Sequence, residues 1–372
     1  MTIPQWPISG ERELELLRDV LASERWGGYH EFVGRLEREF AAFQQCAYGV
    51  SAFNGTVTIE MALEACGIGA GDEVIVPAIS FISTATAVSR VGATPVFVDI
   101  EPYSFNIDPE RVKAAIGPRT RAIIAVHFGG PMADMDRLGA LAKERKLTLL
   151  EDAAHAHGSE WKGRRAGSIG TAGSFSFQNS KVMTAGEGGM LTSNDAGFAE
   201  RVRAIADQGR RPDGGWFHHY SLGTNYRMTA WQAAVLLAQL ERLPEQNCRR
   251  MRNAAVVRNA LAEVPGLTFQ HVPPEARVHT NYLLLGRVHA KSLGKTRDEF
   301  HKAVVASGVP CTPFYPHTLY RNPLYRAGGC RVEPCPIAED CIQDAFWFPH
   351  RVLLGDDAVT RNISDAILRA TE

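Results

Sequence analysis

The spacing of apolar positions changes twice along the chain. From residue 11 to 43 it is helical, with Leu14, Leu16, Leu17, Val20 and Leu21, then Phe32, Leu36, Phe40 and Phe43 at helical spacings. Short apolar runs then alternate with amphipathic stretches. Residues 73–76, 95–98, 122–126, 148–150, 174–177 and 190–192 predict strands, and a further strand ends at Phe53. Residues 56–66, 83–91 and 135–145 predict helices between them. This alternation predicts an α/β fold in which a mostly parallel sheet is covered by helices on both faces. A long helix is expected over 229–243, where Pro244 interrupts the pattern. Beyond it a helix, a strand near 282–288, a helix near 297–307 and a last helix near 357–370 suggest a smaller α+β C-terminal domain. The expected division is 1–244 for the large domain with its N-terminal helical arm, and 245–372 for the small one. No internal repeat or low-complexity segment is present.

Composition narrows the function classes. With 372 residues the chain can bury a large core. Lys and Arg total 40 against 41 Asp and Glu, so no basic footprint for nucleic acid or an anionic membrane exists. No run is apolar for long enough to span a bilayer. Met1-Thr2-Ile3-Pro4-Gln5-Trp6 lacks a basic region followed by an apolar stretch, so a cytoplasmic location is expected. The 7 cysteines are scattered. Cys330, Cys335 and Cys341 cluster without the close pairs of a zinc site, which favours free thiols in a reducing compartment.

Sheets of this kind carry their chemistry outside the carboxyl ends of the strands. Thr148-Leu149-Leu150 runs into Glu151-Asp152-Ala153-Ala154-His155 at one such end. Asp152 is badly placed there for solvation and needs a cationic partner, while Glu151 points to the other face if the strand continues. At a later strand end, Ser174-Phe175-Ser176-Phe177 is followed by Lys181 and then by Thr184-Ala185-Gly186-Glu187-Gly188-Gly189. Lys181 read alone is a solvated loop residue, but strand and glycine-rich turn fix its position, and the glycines suggest backbone packed closely against something. An acid at a strand end with a lysine after a later strand is what pyridoxal phosphate chemistry requires. The amine forms a Schiff base, and the carboxylate keeps the pyridine nitrogen protonated so that the ring acts as an electron sink.

Further residues gain meaning in that company. Gly55 and Thr56 open a helix and can offer backbone amides and a hydroxyl to a phosphate, although Thr56 can equally be a plain N-cap. Ser176 faces away from Phe175 and Phe177, where its hydroxyl suits a phosphate oxygen. Phe81 follows another strand and can stack on a flat heteroaromatic ring or belong to the core. His155 and His157 flank Ala156; a metal pair is the alternative reading, but nothing supplies further ligands at sensible spacing. His155 is expected beside the cofactor ring and His157 in a structural role.

These residues together resemble the DegT/DnrJ/EryC1/StrS family of pyridoxal-phosphate-dependent aminotransferases. The matching runs are Asn54-Gly55-Thr56, Glu73-Val74-Ile75-Val76-Pro77 with Phe81, residues 151–158, the Lys181 segment, and Leu222-Gly223-Thr224-Asn225-Tyr226-Arg227-Met228-Thr229. The resemblance implies a fold-type I homodimer with shared active sites. Lys181 would be the Schiff-base lysine and proton shuttle, Asp152 the partner of the pyridinium nitrogen, and Phe81 the stacking ring. Gly55, Thr56 and Ser176 would hold the phosphate, joined by Asn225 of the neighbouring subunit. His155 replaces the glutamine many members carry near the ring hydroxyl. Phe348-Pro349-His350-Arg351 departs from their His-Pro pair through Arg351.

The resemblance also implies the reaction. Sugar dehydratases of this fold carry histidine at the lysine position; here it is Lys181, which implies transamination, with glutamate or glutamine as donor and a ketone as acceptor. The segments 175–187, 152–158, 217–219 and 349–354 look most like 3-amino-5-hydroxybenzoate synthases and are similar to aminocyclitol aminotransferases. A carbocyclic keto intermediate of secondary metabolism is therefore expected, with a nucleotide-linked keto-sugar as the alternative and a non-catalytic regulatory protein as a further one. Gln178, Tyr315, His317 and His350 are the expected substrate contacts, though His317 can equally belong to a wet hinge.

Overall fold

The computed structural model describes residues 2–372. An eight-stranded sheet forms its centre. Its strands, in spatial order, are Tyr48–Ala52, Gly189–Ser193, Ala172–Ser176, Thr148–Asp152, Thr120–Val126, Glu73–Pro77, Thr94–Val98 and Arg331–Val332. Gly189–Ser193 runs antiparallel to both neighbours, and from Ala172–Ser176 to the Arg331–Val332 edge all pairs are parallel. The six predicted strands are present; five are extended by one or two residues, and the one expected at 174–177 is shifted to Ala172–Ser176.

Alternation along these strands feeds two cores. Ile75, Ile123, Leu149, Phe175 and Met190 pack on one face with the N-terminal helices and Leu236, Leu237 and Leu243. Val74, Val76, Ile124, Leu150 and Leu191 pack on the other with Val57, Leu63, Val88 and Phe198. A two-sided apolar pattern of this kind belongs to a sheet covered on both faces.

Two helix expectations are corrected. The stretch 11–43 is two helices, Glu11–Ala22 and Glu31–Phe43. The break falls at Gly27-Gly28, where a Cβ on Gly28 would lie 2.8 Å from Arg227 Cβ, and His30 caps the second helix by accepting from the Phe32 amide at 3.1 Å. Pro244 does not end its helix, which runs unbroken from Ala230 to Ala260. Proline in a helix interior costs about 3 kcal/mol. Burial on both sides of it offsets that cost: Leu236, Leu237 and Leu243 enter one core, Ala254 and Val257 another.

The helix thus leads into a four-stranded antiparallel sheet ordered Leu267–Phe269, Leu283–Val288, Ala345–Pro349, Thr312–Pro313. Phe300 of helix Arg297–Ala306 and Ile363 and Ile367 of helix Asp357–Thr371 pack on Leu284, Phe346 and Phe348. Arg331–Val332 returns to the edge of the large sheet beside Thr94–Val98. No helix among the described residues is long and apolar enough to cross a membrane.

Candidate active site

A cavity of about 870 Å³ opens where the parallel strands end. Its floor comes from the large sheet: Asn54, Gly55, Thr56, Ser80, Phe81, Ser83, Asp152, His155, Ser176 and Lys181. Tyr282, Thr312, Tyr315, Trp347, His350 and Arg351 supply the opposite wall. Local rules explain the floor. Asn54 caps the helix Gly55–Ala65 by accepting from the Thr56 and Val57 amides at 3.0 and 3.1 Å, so Asn54 and not Thr56 is the cap. The Thr56 hydroxyl is left for the cavity, 2.8 Å from that of Ser83. Gly55 is required by crowding: a Cβ there would lie 2.7 Å from Ser176 Cβ.

The lysine segment is held as its packaging suggested. Lys181 donates its amide to the Gln178 carbonyl at 2.8 Å, and its Nζ lies 4.6 Å from the centre of the Tyr282 ring. The Tyr282 hydroxyl is 2.9 Å from Ser180 Oγ, so one tyrosine supports both residues. In the turn, Gly186 has φ +81, and a Cβ on Gly189 would meet the Asn54 carbonyl at 2.3 Å. The glycines therefore let two strand ends approach, bringing the phosphate-side helix beside the lysine loop.

The adjacent acids divide as strand alternation requires. Glu151 is fully buried and accepts from the Gly167, Ile169 and Gly170 amides at 2.8, 2.9 and 2.6 Å, with His127 Nε2 at 2.9 Å. Burial alone would raise its carboxyl, but His127 and these amides outweigh it and hold it below the usual carboxylate range. Asp152 lines the cavity instead. Thr84 donates to its Oδ2 at 2.7 Å and lies 2.7 Å from Ser80, while Oδ1 accepts only a long bond of 3.3 Å from the Ala154 amide. One side of this carboxylate is fixed and the other is open to a cationic donor.

The histidines divide too. His157 lies outside the cavity lining, with Nε2 3.0 Å from the Ser176 carbonyl and its ring among Phe40, Phe175 and Phe177. Burial and then Lys181 hold it at about 3, so it is neutral. His155 lines the cavity, 4.3 Å from the Tyr282 ring, and is pushed well below its ordinary value by burial and then Lys181. Its Nδ1 accepts from the Gly129 amide at 3.3 Å, which places the proton of the neutral ring on Nε2. No group of three or more His, Cys, Asp or Glu that could hold a metal occurs among the described residues.

Gln178, Tyr315 and His350 line the cavity, whereas His317 does not; its Nδ1 lies 3.1 Å from the Thr318 carbonyl. Asn225 is also outside the lining; it is exposed, and its side-chain oxygen accepts from the Arg227 amide at 3.3 Å. Phe81 is 58% exposed and faces the cavity, which removes the core reading. Residues the sequence did not single out are Thr84, which reaches Asp152 only through folding; Ser83; Tyr282; and Trp6, whose ring packs edge-on 4.5 Å from His350. Of these, only Ser83 had a local signal, two residues after Phe81.

The donor set fits pyridoxal phosphate. A lysine with no ion-pair partner, a half-satisfied carboxylate, a ring presented to open space and three hydroxyls beside a crowded glycine share one cavity. Comparison with known proteins agrees. The model of the DegT/DnrJ/EryC1/StrS aminotransferase family matches residues 7–367. The chain belongs to that family. An L-glutamine:2-deoxy-scyllo-inosose aminotransferase of Streptoalloteichus tenebrarius is 36% identical, covering 98% of this chain and 93% of that protein. The crystal structure of 3-amino-5-hydroxybenzoic acid synthase superposes with a TM-score of 0.93 at 35% identity, covering 99% of this chain and 98% of that one. A pleiotropic regulatory protein of Geobacillus stearothermophilus is 35% identical over 94% of this chain and 93% of its own length. The present chain is a pyridoxal-phosphate-dependent aminotransferase.

Proposed function

We propose that the protein moves an amino group from L-glutamine or L-glutamate to the ketone of a carbocyclic, aminocyclitol- or aminoshikimate-type intermediate in secondary-metabolite biosynthesis. The observation that carries this reading is the meeting of Lys181 and Asp152 in one cavity whose far wall is aromatic and hydroxylated. When bound, pyridoxal phosphate supplies the electron sink for the amine transfer. Gly55, Thr56, Ser83 and Ser176 are placed to hold its phosphate at the start of helix Gly55–Ala65. Asp152, braced by Thr84, would hold the proton on the ring nitrogen; Phe81 would offer a stacking face; His155 Nε2 would offer a donor to the ring oxygen.

Lys181 Nζ would take and return the proton at the substrate carbon that loses or gains the amine, with the Tyr282 ring 4.6 Å from it. Gln178 has its side-chain oxygen engaged by the Ser180 amide and hydroxyl, both at 2.8 Å, so its amide N–H₂ remains to address a substrate hydroxyl. Tyr315 offers a phenol raised by burial, then by Tyr282 and Asp152; it stays protonated and donates. Such a wall suits a flat polyhydroxylated ring.

The shared-site homodimer belongs to the same proposal. Phe217 is 83% and Leu222 95% exposed, in the segment leading to Asn225. A second copy covering this segment would bring Asn225 to the partner's phosphate side and remove apolar surface from water. A regulatory role, favoured by the Geobacillus relative, competes; the presence of Lys181 and Asp152 in one cavity supports catalysis. The discriminating experiment is optical. Protein loaded with pyridoxal phosphate should be yellow, and glutamine or glutamate should bleach the band, followed by its return with a keto-cyclitol, a ring-carboxylated ketone or a nucleotide keto-sugar. Cofactor binding with no response to either donor defeats the aminotransferase reading.

A further inference from the structure

Arg351, two residues past strand Ala345–Pro349, lines the cavity. The cavity holds one other full cation, Lys181, which the proposed chemistry occupies, and two acids, Asp152 and Glu187. The Arg351 guanidinium makes no ion pair among the described residues; its single hydrogen bond runs from Nη1 to the Pro4 carbonyl at 3.3 Å. Its Nε and Nη2 have no hydrogen-bond partner among the described residues, and the residue shares the cavity lining with His350, Trp6 and Asn179. Most arginines elsewhere in the molecule are committed: Arg287 grips Asp344 through two bonds of 2.8 Å, and Arg203 joins Glu37 at 2.9 Å.

The surroundings of Arg351 make it a reader of charge. His350 beside it is neutral, held well below its ordinary value by burial and then by Arg250, and its Nε2 donates to the Ser180 carbonyl at 3.1 Å. Trp6 closes on His350 edge-on at 4.5 Å and donates from its indole to the Asn179 carbonyl at 2.9 Å, so the N-terminal arm is fixed on this side of the cavity. A partly desolvated, planar guanidinium with an open fork is the side chain that matches a carboxylate in two-point geometry. Neutral ring hydroxyls need no such partner; Gln178, Tyr315 and Thr312 suffice for them.

We propose that Arg351 forms a carboxylate-reading subsite at the His350 side of the cavity. This rests on the transamination reading, and it deepens that reading by naming the charge the site selects. Two substrates can bring the carboxylate: the α-carboxylate of the amino donor, or a ring carboxylate on the acceptor. The Pro4 contact is the competing explanation, in which Arg351 only ties down the N-terminal arm.

The experiment uses the holoenzyme and its Arg351→Gln and Arg351→Lys variants. The first readout is equilibrium binding of cyclohexanecarboxylate, which has no reacting ketone, against cyclohexanecarboxamide. The account expects Arg351→Gln to lose roughly tenfold or more in affinity for the carboxylate, with the amide unchanged and Arg351→Lys intermediate. Two half-reactions then assign the source. A loss confined to the glutamine step places the donor's carboxylate on Arg351; a loss confined to a ring-carboxylated ketone, with a neutral keto-cyclitol unaffected, places the acceptor's there. Equal affinities in wild type and Arg351→Gln overturn the proposal, as does an equal loss for carboxylate and amide, which marks the arm-tethering role. Failure of the transamination reading shows separately, as wild-type holoenzyme that answers neither donor.

Discussion

The two walls of the cavity are built by different rules. The floor consists of strand ends and the turns that follow them, and several of its groups are held by near neighbours: Asp152 Oδ2 by Thr84, Thr56 by Ser83, and the Lys181 backbone by the Gln178 carbonyl. The far wall is assembled from Tyr282, Tyr315, Trp347, His350 and Arg351, and several of its polar atoms have no partner: the outer fork of Arg351 and Nδ1 of His350. Fixed groups suit a reaction that is the same in every turnover. Open ones suit recognition, since a polar group left open in a cavity is satisfied only by the right substrate. Chemistry on the floor and choice on the far wall is the division the comparison teaches.

Substitutions should separate the walls. Lys181→Ala removes the proton carrier and is expected to cut turnover by about 10⁴-fold or more with every acceptor, measured in steady state with the cofactor saturating. Activity within tenfold of wild type would contradict its role. Asp152→Ala is expected to fold normally and to lose on the order of 10²–10³ in turnover, again regardless of acceptor. If only one acceptor suffered, the floor would share in recognition and the division would fail. Tyr315→Phe on the far wall should raise KM for a hydroxylated acceptor by roughly 3- to 10-fold, as for one lost hydrogen bond, and leave the donor half-reaction untouched. A slowed donor step would move Tyr315 to the side of chemistry.

The smallest expected effect concerns acid stability. His157 and His279 are held at about 3 by burial, and His155 and His350 lie well below their ordinary value for the same leading reason. The unfolded chain protonates such groups near 6.5, and the folded one does not. Stability is therefore fully present above about pH 6.5 and falls as the pH drops from there toward 3, where only the unfolded state gains protons. Thermal melts should show a steady decline of Tm below pH 6.5, and a flat profile between pH 7.5 and 5 would contradict buried neutral histidines.

The floor was legible in the sequence because each of its motifs is local. A strand that alternates Glu151 in and Asp152 out, a glycine run after Lys181 and a helix opening at Gly55 carry their meaning within a few residues. The far wall was legible only in part. Of the expected substrate contacts, Gln178, Tyr315 and His350 line the cavity and His317 does not; nothing in Tyr315-Pro316-His317 tells which side chain turns inward. Tyr282 and Trp6 carry no motif; a packed tyrosine and an N-terminal tryptophan acquire roles only when strands far apart in the chain are brought together. Pro244 misled for the opposite reason: a local rule predicted a helix end, and burial of the helix on both sides of the proline overrode it.

The central claim is that Lys181 is the amine this cavity is built to position. Its most direct test is borohydride reduction of the pyridoxal-phosphate-loaded protein, followed by peptide mapping of the covalent tag, beside Lys181→Ala. The account predicts a single tagged peptide containing Lys181 and an untagged variant that still binds the cofactor. A tag on any other lysine, or an equally tagged variant, would contradict it.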